Sequence, residues 1–513
     1  MTAVRTPIPV AIGVAPAPIG PRRTRAIGIE RLNRPEAFQI ALFLLVLQSV
    51  SRFHQVLHLE ALRPGLLLAG LACVCMVLEP KSTIGANLLR STQAKLLVAL
   101  GVQVCLSALF GISLGSAASY IVTDYSRTLI FGFLLCAAIR HAADLRLFNW
   151  AFVIACALLV WMAVFIFGLS AAGSMMRLGD LYTYDANDLG CVLVVGLPLT
   201  LLAFQTAGRL GKLFSLVVLV GIGLAVARSG SRGAFVGLLV VGAALLVLVP
   251  HVSVVKRLVF LTAVGSALAL SAPAGYWQQM QTILKPTDDY NWSARDGRRE
   301  IAKRGISYMM AYPVFGVGIH NFGRAEGTIS EKARRHVPGT GIVWTAPHNS
   351  FIQIGAETGI PGLAIWSSIL LGGIVGLIRL RRRLPRQWAR GDPEQRFIYF
   401  AAVYVPIALI GFSVTCAFLS FAYLDPIYIL AALTAGVFYA AEGAMQRSSV
   451  AIAPPAPSSH RRGSPPATSR NLRQVLTRGG LSRGTLGARQ TLLGALDAVE
   501  DRARHRERAE LHA

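Results

Sequence analysis

The stretch that decides the fold is PHNSFIQIGAETGIPGLAIWSSILLGGIVGLIRLRRR, residues 347–383. Its apolar part, residues 361–377, is long enough to enter a bilayer. It runs into a basic stop at residues 379–383, and basic residues mark the cytoplasmic side of a membrane segment. We therefore expect His348, at the opposite end, to lie on the outer face, where a short polar helix precedes the apolar segment.

The composition predicts an all-α membrane protein. Hydrophobic residues make up 54% of the 513 residues, charged residues only 15%, and the mean hydropathy is +0.55. About twelve apolar runs approach the roughly 20 residues that cross a hydrocarbon core. These predicted transmembrane helices are 38–57, 62–79, 96–114, 120–140, 148–169, 188–206, 212–227, 233–250, 257–272, 359–378, 397–418 and 424–442.

The net charge of +25 would suggest a nucleic-acid partner in a soluble protein, but its distribution excludes that class here. Basic residues fill every second connection between the apolar runs, as expected of cytoplasmic loops. We therefore predict a multi-pass protein of a bacterial inner membrane with both termini cytoplasmic. The first apolar run begins too far along the chain for a cleavable signal peptide, so we expect an uncleaved anchor.

Three regions are expected along the chain. Residues 1–35 are predicted to be a disordered, basic, cytoplasmic segment, and residues 446–513 a basic, largely disordered cytoplasmic tail that touches anionic lipid. Residues 36–445 form the membrane domain. Its one long outer loop, about 273–347, lies between the ninth and tenth helices, and residues 298–312 within it have the pattern of a helix on the membrane surface.

Several basic residues break the alternation because they fall on the predicted outer side. For any one of them, a solvated or snorkelling side chain is the better interpretation. Together they predict an anion site. They are Arg228, Arg232, Arg295, Arg298, Arg299, Lys303 and Arg304.

Helix starts on the same side strengthen that prediction, since each presents free backbone N–H groups and the positive end of a helix dipole. Ser231 can cap one helix, Asp185 or Asn187 a second, and Asn349 or Ser350 a third. Helix starts combined with arginines form a natural receptor for a diphosphate. Ordinary capping without a ligand is the alternative.

His348 is the candidate general base, because a histidine titrates near neutral pH. His320 and His336 are competitors in the same loop, but neither sits at a helix start with a polar neighbour. The apolar runs carry little that could relay protons, and Gln103 is the one strongly polar side chain in the middle of the third run. This pattern disfavours a proton-coupled transporter.

These residues resemble the O-antigen ligase and polymerase superfamily of bacterial membrane glycosyltransferases. The ligase pattern appears as His348 and Asn349, then nine residues, Gly359, two residues and Gly362, with Leu363 where the pattern has threonine. Further pieces similar to the family are DANDL (185–189), SGSRG (229–233), and GR (297–298) fifteen residues ahead of PVFGVG (313–318).

The resemblance implies transfer of a glycan from an undecaprenyl-diphosphate donor to a glycan or lipid A-core acceptor, without a metal or cofactor. It implies that Arg232 and Arg298 bind the carrier diphosphate and that His348 activates the acceptor hydroxyl. The surrounding residues expected to bind substrate are Arg228, Ser231, Asn187, Asn349 and Arg299. Two other classes stay open, a transporter or flippase for lipid-linked sugars and a non-catalytic partner in polysaccharide export.

Overall fold

The structure is a computed structural model, and it describes most of the chain between residues 36 and 452. The described residues are 36–78, 90–172, 175–179, 181, 184–249, 252–285, 287, 292, 294, 297–330, 333 and 346–452. The predictions for the segment 1–35, for most of the tail and for Arg295 and His336 lie outside these residues. The chain to Ala444 forms one compact unit, and the unit from Met445 is described only to residue 452, where it is helical.

The fold is almost entirely helical, as predicted. The helices, in chain order, are α1 Ala37–Ser51, α2 Phe53–Val56, α3 Pro64–Leu78, α4 Thr92–Phe110, α5 Leu114–Tyr120, α6 Ser126–Ala138, α7 Ala142–Trp161, α8 Ala186–Thr206, α9 Arg209–Ser229, α10 Arg232–Leu248, α11 Val254–Ser271, α12 Tyr276–Gln281, α13 Arg298–Ala311, α14 Phe322–Thr328, α15 Ser350–Arg383, α16 Pro393–Cys416 and α17 Asp425–Ile452. Short π-helical turns, Ile121–Tyr125 and Met162–Ile166, continue α5 into α6 and extend α7.

Each of the twelve predicted apolar runs coincides with a helix over most of its length. Within the described residues, ten helices are long and apolar enough to cross a membrane. Two further apolar helices, α1 and α10, have only 15 and 17 residues. The multi-pass helical class is therefore confirmed, while the count of about twelve spans stays a prediction.

A small β-hairpin follows α7, and no pattern in the sequence predicted it. Strands β1 (Leu169–Ala172) and β2 (Met175–Leu178) pair antiparallel, with Ser170 opposite Arg177. The backbone N–H of Met176 also donates to the Ala274 carbonyl oxygen at 3.1 Å. The hairpin is thereby fixed against the segment that follows α11.

The predicted surface helix exists as α13, but it packs against α14 and α15. It buries Ile301 and Tyr308 in a small core with Phe322 of α14 and Ala356 of α15. Its mixture of apolar and charged side chains predicted a helix that lies on the membrane surface. Burial of these apolar residues against protein instead fixes α13 on the start of α15.

Helix α15 is broken near its first third. Gly359 has φ 74° and ψ −176°, a conformation open to glycine, and Pro361 follows it. Because Pro361 has no N–H, the Glu357 carbonyl oxygen loses its helical donor. The PVFGVG segment lies against this break, and the Ile360 N–H donates to the Pro313 carbonyl oxygen at 2.8 Å.

Side chains of α4 satisfy the backbone groups that the break exposes. The Gln103 amide donates to the carbonyl oxygens of Val314 and Thr358 at 2.7 and 2.8 Å. The Ser107 hydroxyl donates to the Glu357 carbonyl oxygen at 2.6 Å. Gln103, the one strongly polar side chain in its apolar run, thus supports a broken helix where water is excluded.

We predict that Gly359→Ala destabilises the purified protein. An alanine would have to adopt φ 74° and ψ −176°, a backbone region that is essentially restricted to glycine and costs about 1–3 kcal/mol, and its Cβ would lie 2.6 Å from the carbonyl carbon of Val314. Gly372→Ala is the matched control, because no atom lies within 4 Å of a Cβ at that position of the same helix. Thermal unfolding in detergent should show a lower midpoint for Gly359→Ala alone, and equal midpoints for the two variants would contradict this account.

Candidate active site

One cavity of about 470 Å³ collects the residues that the sequence singled out for chemistry. Arg232, Arg298, His348 and Asn349 all line it, although they come from three separate parts of the chain. The remaining lining residues are Val236, Thr282, Ile283, Trp292, Ala302, Pro347, Ile352, Ala417 and Phe418. The wall is therefore largely apolar, as is common in ligand sites. Its two arginines, His348 and Asn349 lie at or just before the first residues of helices.

Arg232 is the first residue of α10. Ser231 ends the preceding turn and caps the helix, since its hydroxyl accepts from the Ala234 N–H at 3.2 Å. The Arg232 guanidinium donates to the Thr282 hydroxyl at 2.8 Å. The predicted cap is confirmed, and Thr282 orients the arginine at the cavity.

Arg298 is the first residue of α13, and the position of that helix is secured by a buried ion pair. Arg304, two turns later, donates to both carboxylate oxygens of Glu326 at 2.7–2.9 Å, and Glu326 is fully buried. The Tyr308 hydroxyl adds a third donor to the same carboxylate at 2.7 Å. A bidentate pair of this kind fixes geometry, so α13 presents Arg298 from a rigid support.

His348 lies immediately before α15, with a left-handed backbone at φ 48°. The backbone N–H of His348 donates to the Ser420 hydroxyl at 3.0 Å. The next residue, Asn349, caps α15 by accepting from the N–H groups of Phe351 and Ile352. Ser350 donates to the Leu419 carbonyl oxygen at 2.7 Å. The histidine is therefore held by the loop between α16 and α17 and by its own helix.

The surroundings of His348 favour its neutral form. Burial lowers the pKa of the imidazole below its ordinary value, the positive charge of Arg298 lowers it further, and the negative charge of Asp185 opposes both effects. A neutral imidazole can accept a proton. His348 is thus suited to act as a base at neutral pH.

Four helices begin at this cavity or at the smaller pocket that adjoins it. The residues concerned are Asn187 of α8, Arg232 of α10, Arg298 of α13 and Asn349 of α15, each within two positions of its helix start. Asp185 caps α8 by accepting from the N–H groups of Asn187 and Asp188. Helix starts carry a positive partial charge, so their convergence with arginines favours an anion.

The other predicted outer cations do not line the cavity. Arg228 donates to the carbonyl oxygens of Ala163 and Phe167 at 2.8 and 3.2 Å, a structural contact with the end of α7 and its π-turn. Arg299 is exposed and lines neither pocket. Lys303 and Arg304 form ion pairs with Glu300 and Glu326. Of the basic residues on α13 that were predicted to form the anion site, Arg298 lines the cavity, and Arg299, Lys303 and Arg304 do not.

His320 also lies elsewhere. Its ring stacks on Tyr120, with ring centroids 4.2 Å apart and planes 3° from parallel. It does not line the cavity. Of the two candidate histidines that the structure describes, His348 lines the cavity and His320 does not.

Five lining residues with polar or aromatic side chains were not singled out by the sequence. Thr282, Trp292 and Phe418 line the large cavity, and Arg177 and Gln279 line the small pocket. None of them belongs to a motif. Arg177 lies on β2, while Gln279 and Thr282 lie in or just after α12, and no sequence pattern predicted either element.

Metal ligands were not predicted, and the described part of the chain contains no group of three or more His, Cys, Asp or Glu side chains that could hold a metal ion. The polar chemistry of the cavity rests on guanidinium, imidazole and amide groups.

We predict that Arg298→Gln raises the pKa of His348, because it removes a positive charge that disfavours the imidazolium form. Diethyl pyrocarbonate acylates the neutral ring, so its rate of modification at residue 348 can be followed by mass spectrometry from pH 5 to 8. The midpoint should move to higher pH in Arg298→Gln and stay in place in Arg299→Gln, the exposed neighbour. An unchanged midpoint in Arg298→Gln would show that the two charges do not interact.

Part of the chain matches a known protein family. Residues 214–367 match the family model described as O-antigen ligase, which covers less than a third of the chain. Arg232, Arg298 and His348 all fall within the matched segment. No curated protein matches the chain significantly. Residues 214–367 are therefore similar to the O-antigen ligase family, and this match supports the resemblance of the chain to the O-antigen ligase and polymerase superfamily.

Proposed function

We propose that this protein transfers a glycan from an undecaprenyl-diphosphate carrier to an acceptor hydroxyl at the outer face of the bacterial inner membrane. Arg232 and Arg298 bind the carrier diphosphate, and His348 is the general base. The observation that carries the proposal is that these three side chains line one cavity of about 470 Å³. The O-antigen ligase match supports the same class of reaction.

The chemistry follows from the groups present. His348 takes the proton from the acceptor hydroxyl as its oxygen forms a bond to the anomeric carbon of the donor sugar. The bond between that carbon and the phosphate oxygen breaks, and its electron pair leaves with the lipid diphosphate. The developing negative charge is stabilised by fixed guanidinium groups and helix starts. The activated donor supplies the driving force, so the proposal requires neither ATP nor a metal.

The cavity wall suits a lipid-linked donor. Val236, Ile283 and Phe418 provide apolar surface beside the arginines, which fits the first isoprene units next to a diphosphate. Within the proposal the cavity faces outward, because the opposite end of α15 carries the basic residues Arg381, Arg382 and Arg383. Ser231 caps α10 and Asn349 caps α15, so each fixes the start of a helix at the cavity.

We predict that His348→Gln abolishes transfer but retains donor binding. Glutamine keeps a hydrogen-bonding side chain but cannot accept the proton at neutral pH, and a general base contributes on the order of 10²–10⁴ in rate. Binding should persist because the arginines and helix starts are untouched. The assay uses purified full-length protein, an undecaprenyl-diphosphate glycan and a metal chelator, and it measures transfer and donor binding separately.

His320→Gln is the matched control, since it changes a histidine of the same outer segment that lies away from the cavity. It should turn over at the wild-type rate. Two acceptors separate the possible reactions: lipid A-core gives a ligase product, and a second donor molecule gives a longer lipid-linked glycan. A His348→Gln protein with wild-type turnover would remove the base from the mechanism, and a wild-type protein that binds donor without transfer would favour an assembly partner.

A further inference from the structure

A small pocket adjoins the large cavity. It has a volume of about 50 Å³, and it shares Arg232, Arg298 and Phe418 with the cavity. Its other lining residues are Arg177, Asn187, Gly230, Gly233 and Gln279. A space of about 10–15 Å³ is enough for one water, so this pocket has room for a group larger than a water, such as one phosphate.

The β-hairpin brings Arg177 to this pocket. Gly230, in the turn between α9 and α10, has φ 59°, and a Cβ at that position would lie 3.3 Å from the Cβ of Arg177. The strand therefore lies directly against the turn that precedes Arg232. Since β2 is also paired with β1 and bonded to the Ala274 carbonyl, the backbone of Arg177 is fixed on both sides.

The charges around the pocket favour an anion. Three arginines, Arg177, Arg232 and Arg298, line a space of about 50 Å³. Burial lowers the pKa of Arg177, and the positive charge of Arg232 lowers it further, while the Asp185 carboxylate opposes both. Positive charges held this close repel one another. A bound dianion would attract each of them and offset that repulsion.

The pocket also has the donors that a phosphate needs. Arginine presents a planar fork that matches phosphate oxygens in pairs. Asn187 and Gln279 add amide groups, and Asn187 and Arg232 lie at the starts of α8 and α10. Since Arg298 likewise begins α13, three helix starts and three arginines surround a space too small for a sugar, next to a cavity large enough for one.

We propose that this pocket is a separate phosphate subsite, in which Arg177 binds one phosphate of the donor diphosphate together with Arg232 and Arg298. The inference rests on the proposed function for the identity of the donor. It adds a residue outside the matched O-antigen ligase segment. The other phosphate lies in the large cavity beside the shared residues Arg232 and Arg298, where a lipid monophosphate would also bind. Only the diphosphate then reaches Arg177, so this contact favours a lipid diphosphate over a lipid monophosphate.

The test compares the affinities of purified full-length protein for undecaprenyl diphosphate and undecaprenyl monophosphate. Wild-type protein should prefer the diphosphate. Arg177→Gln should weaken diphosphate binding by roughly tenfold or more, the effect of losing a charged hydrogen bond, and should leave monophosphate binding nearly unchanged. Arg299→Gln removes the same charge from an exposed site and should change neither affinity.

Gln279→Leu is a second variant that retains all three arginines, and it should reduce the diphosphate preference in the same direction by a smaller factor. Thermal unfolding of each variant identifies loss of fold. An Arg177→Gln protein that is folded and keeps the full diphosphate preference, or loses both affinities equally, overturns the subsite alone. A wild-type protein that binds neither lipid overturns the proposed function itself.

Discussion

The structure depends on hydrogen bonds to the backbone groups that the break in α15 leaves without helical partners. Gly359 and Pro361 interrupt the helix, and an unpaired backbone group costs several kcal/mol where water is excluded. The PVFGVG segment and two side chains of α4 supply the missing partners. Since these contacts join α4, the PVFGVG segment and α15, the first part of α15 is held as a rigid platform. His348 lies directly before that platform.

A second constraint is the concentration of positive charge. Arg232 and Arg298 are each the first residue of a helix, so each side chain lies beside the positive end of a dipole. Such an arrangement disfavours the empty site and favours any anion that enters. Burial lowers the pKa of His348, and the positive charge of Arg298 lowers it further, so both favour the neutral imidazole. In the proposed mechanism, the charge of Arg298 would therefore serve both diphosphate binding and the base.

Much of this organisation could be predicted from the sequence. Apolar runs indicate where the helices form. Ser231 and Asn349 could be recognised as caps, because their side chains can accept hydrogen bonds from the free backbone N–H groups at a helix start. The order of Arg232, Arg298 and His348 along the chain suggested a shared site, and all three line one cavity. The structure also selects Asp185 over Asn187, and Asn349 over Ser350, as the caps of α8 and α15.

The rest could not be predicted, because it depends on contacts between distant segments. Arg228 and Arg232 are four residues apart in one basic loop, yet Arg228 donates to backbone carbonyl groups of a neighbouring element. Arg304 had the pattern of an anion-binding residue, but its partner is Glu326 of the same protein. The four-residue strand that carries Arg177 is too short for a periodic signal, and its pairing with β1 fixes it.

The most direct test of the central claim is a cryo-electron microscopy map of the His348→Gln protein with an undecaprenyl-diphosphate glycan. The account predicts density for the diphosphate within hydrogen-bonding distance of the guanidinium groups of Arg232 and Arg298, with the anomeric carbon of the first sugar facing residue 348. A diphosphate bound elsewhere on the protein, or a first sugar directed away from residue 348, would contradict it.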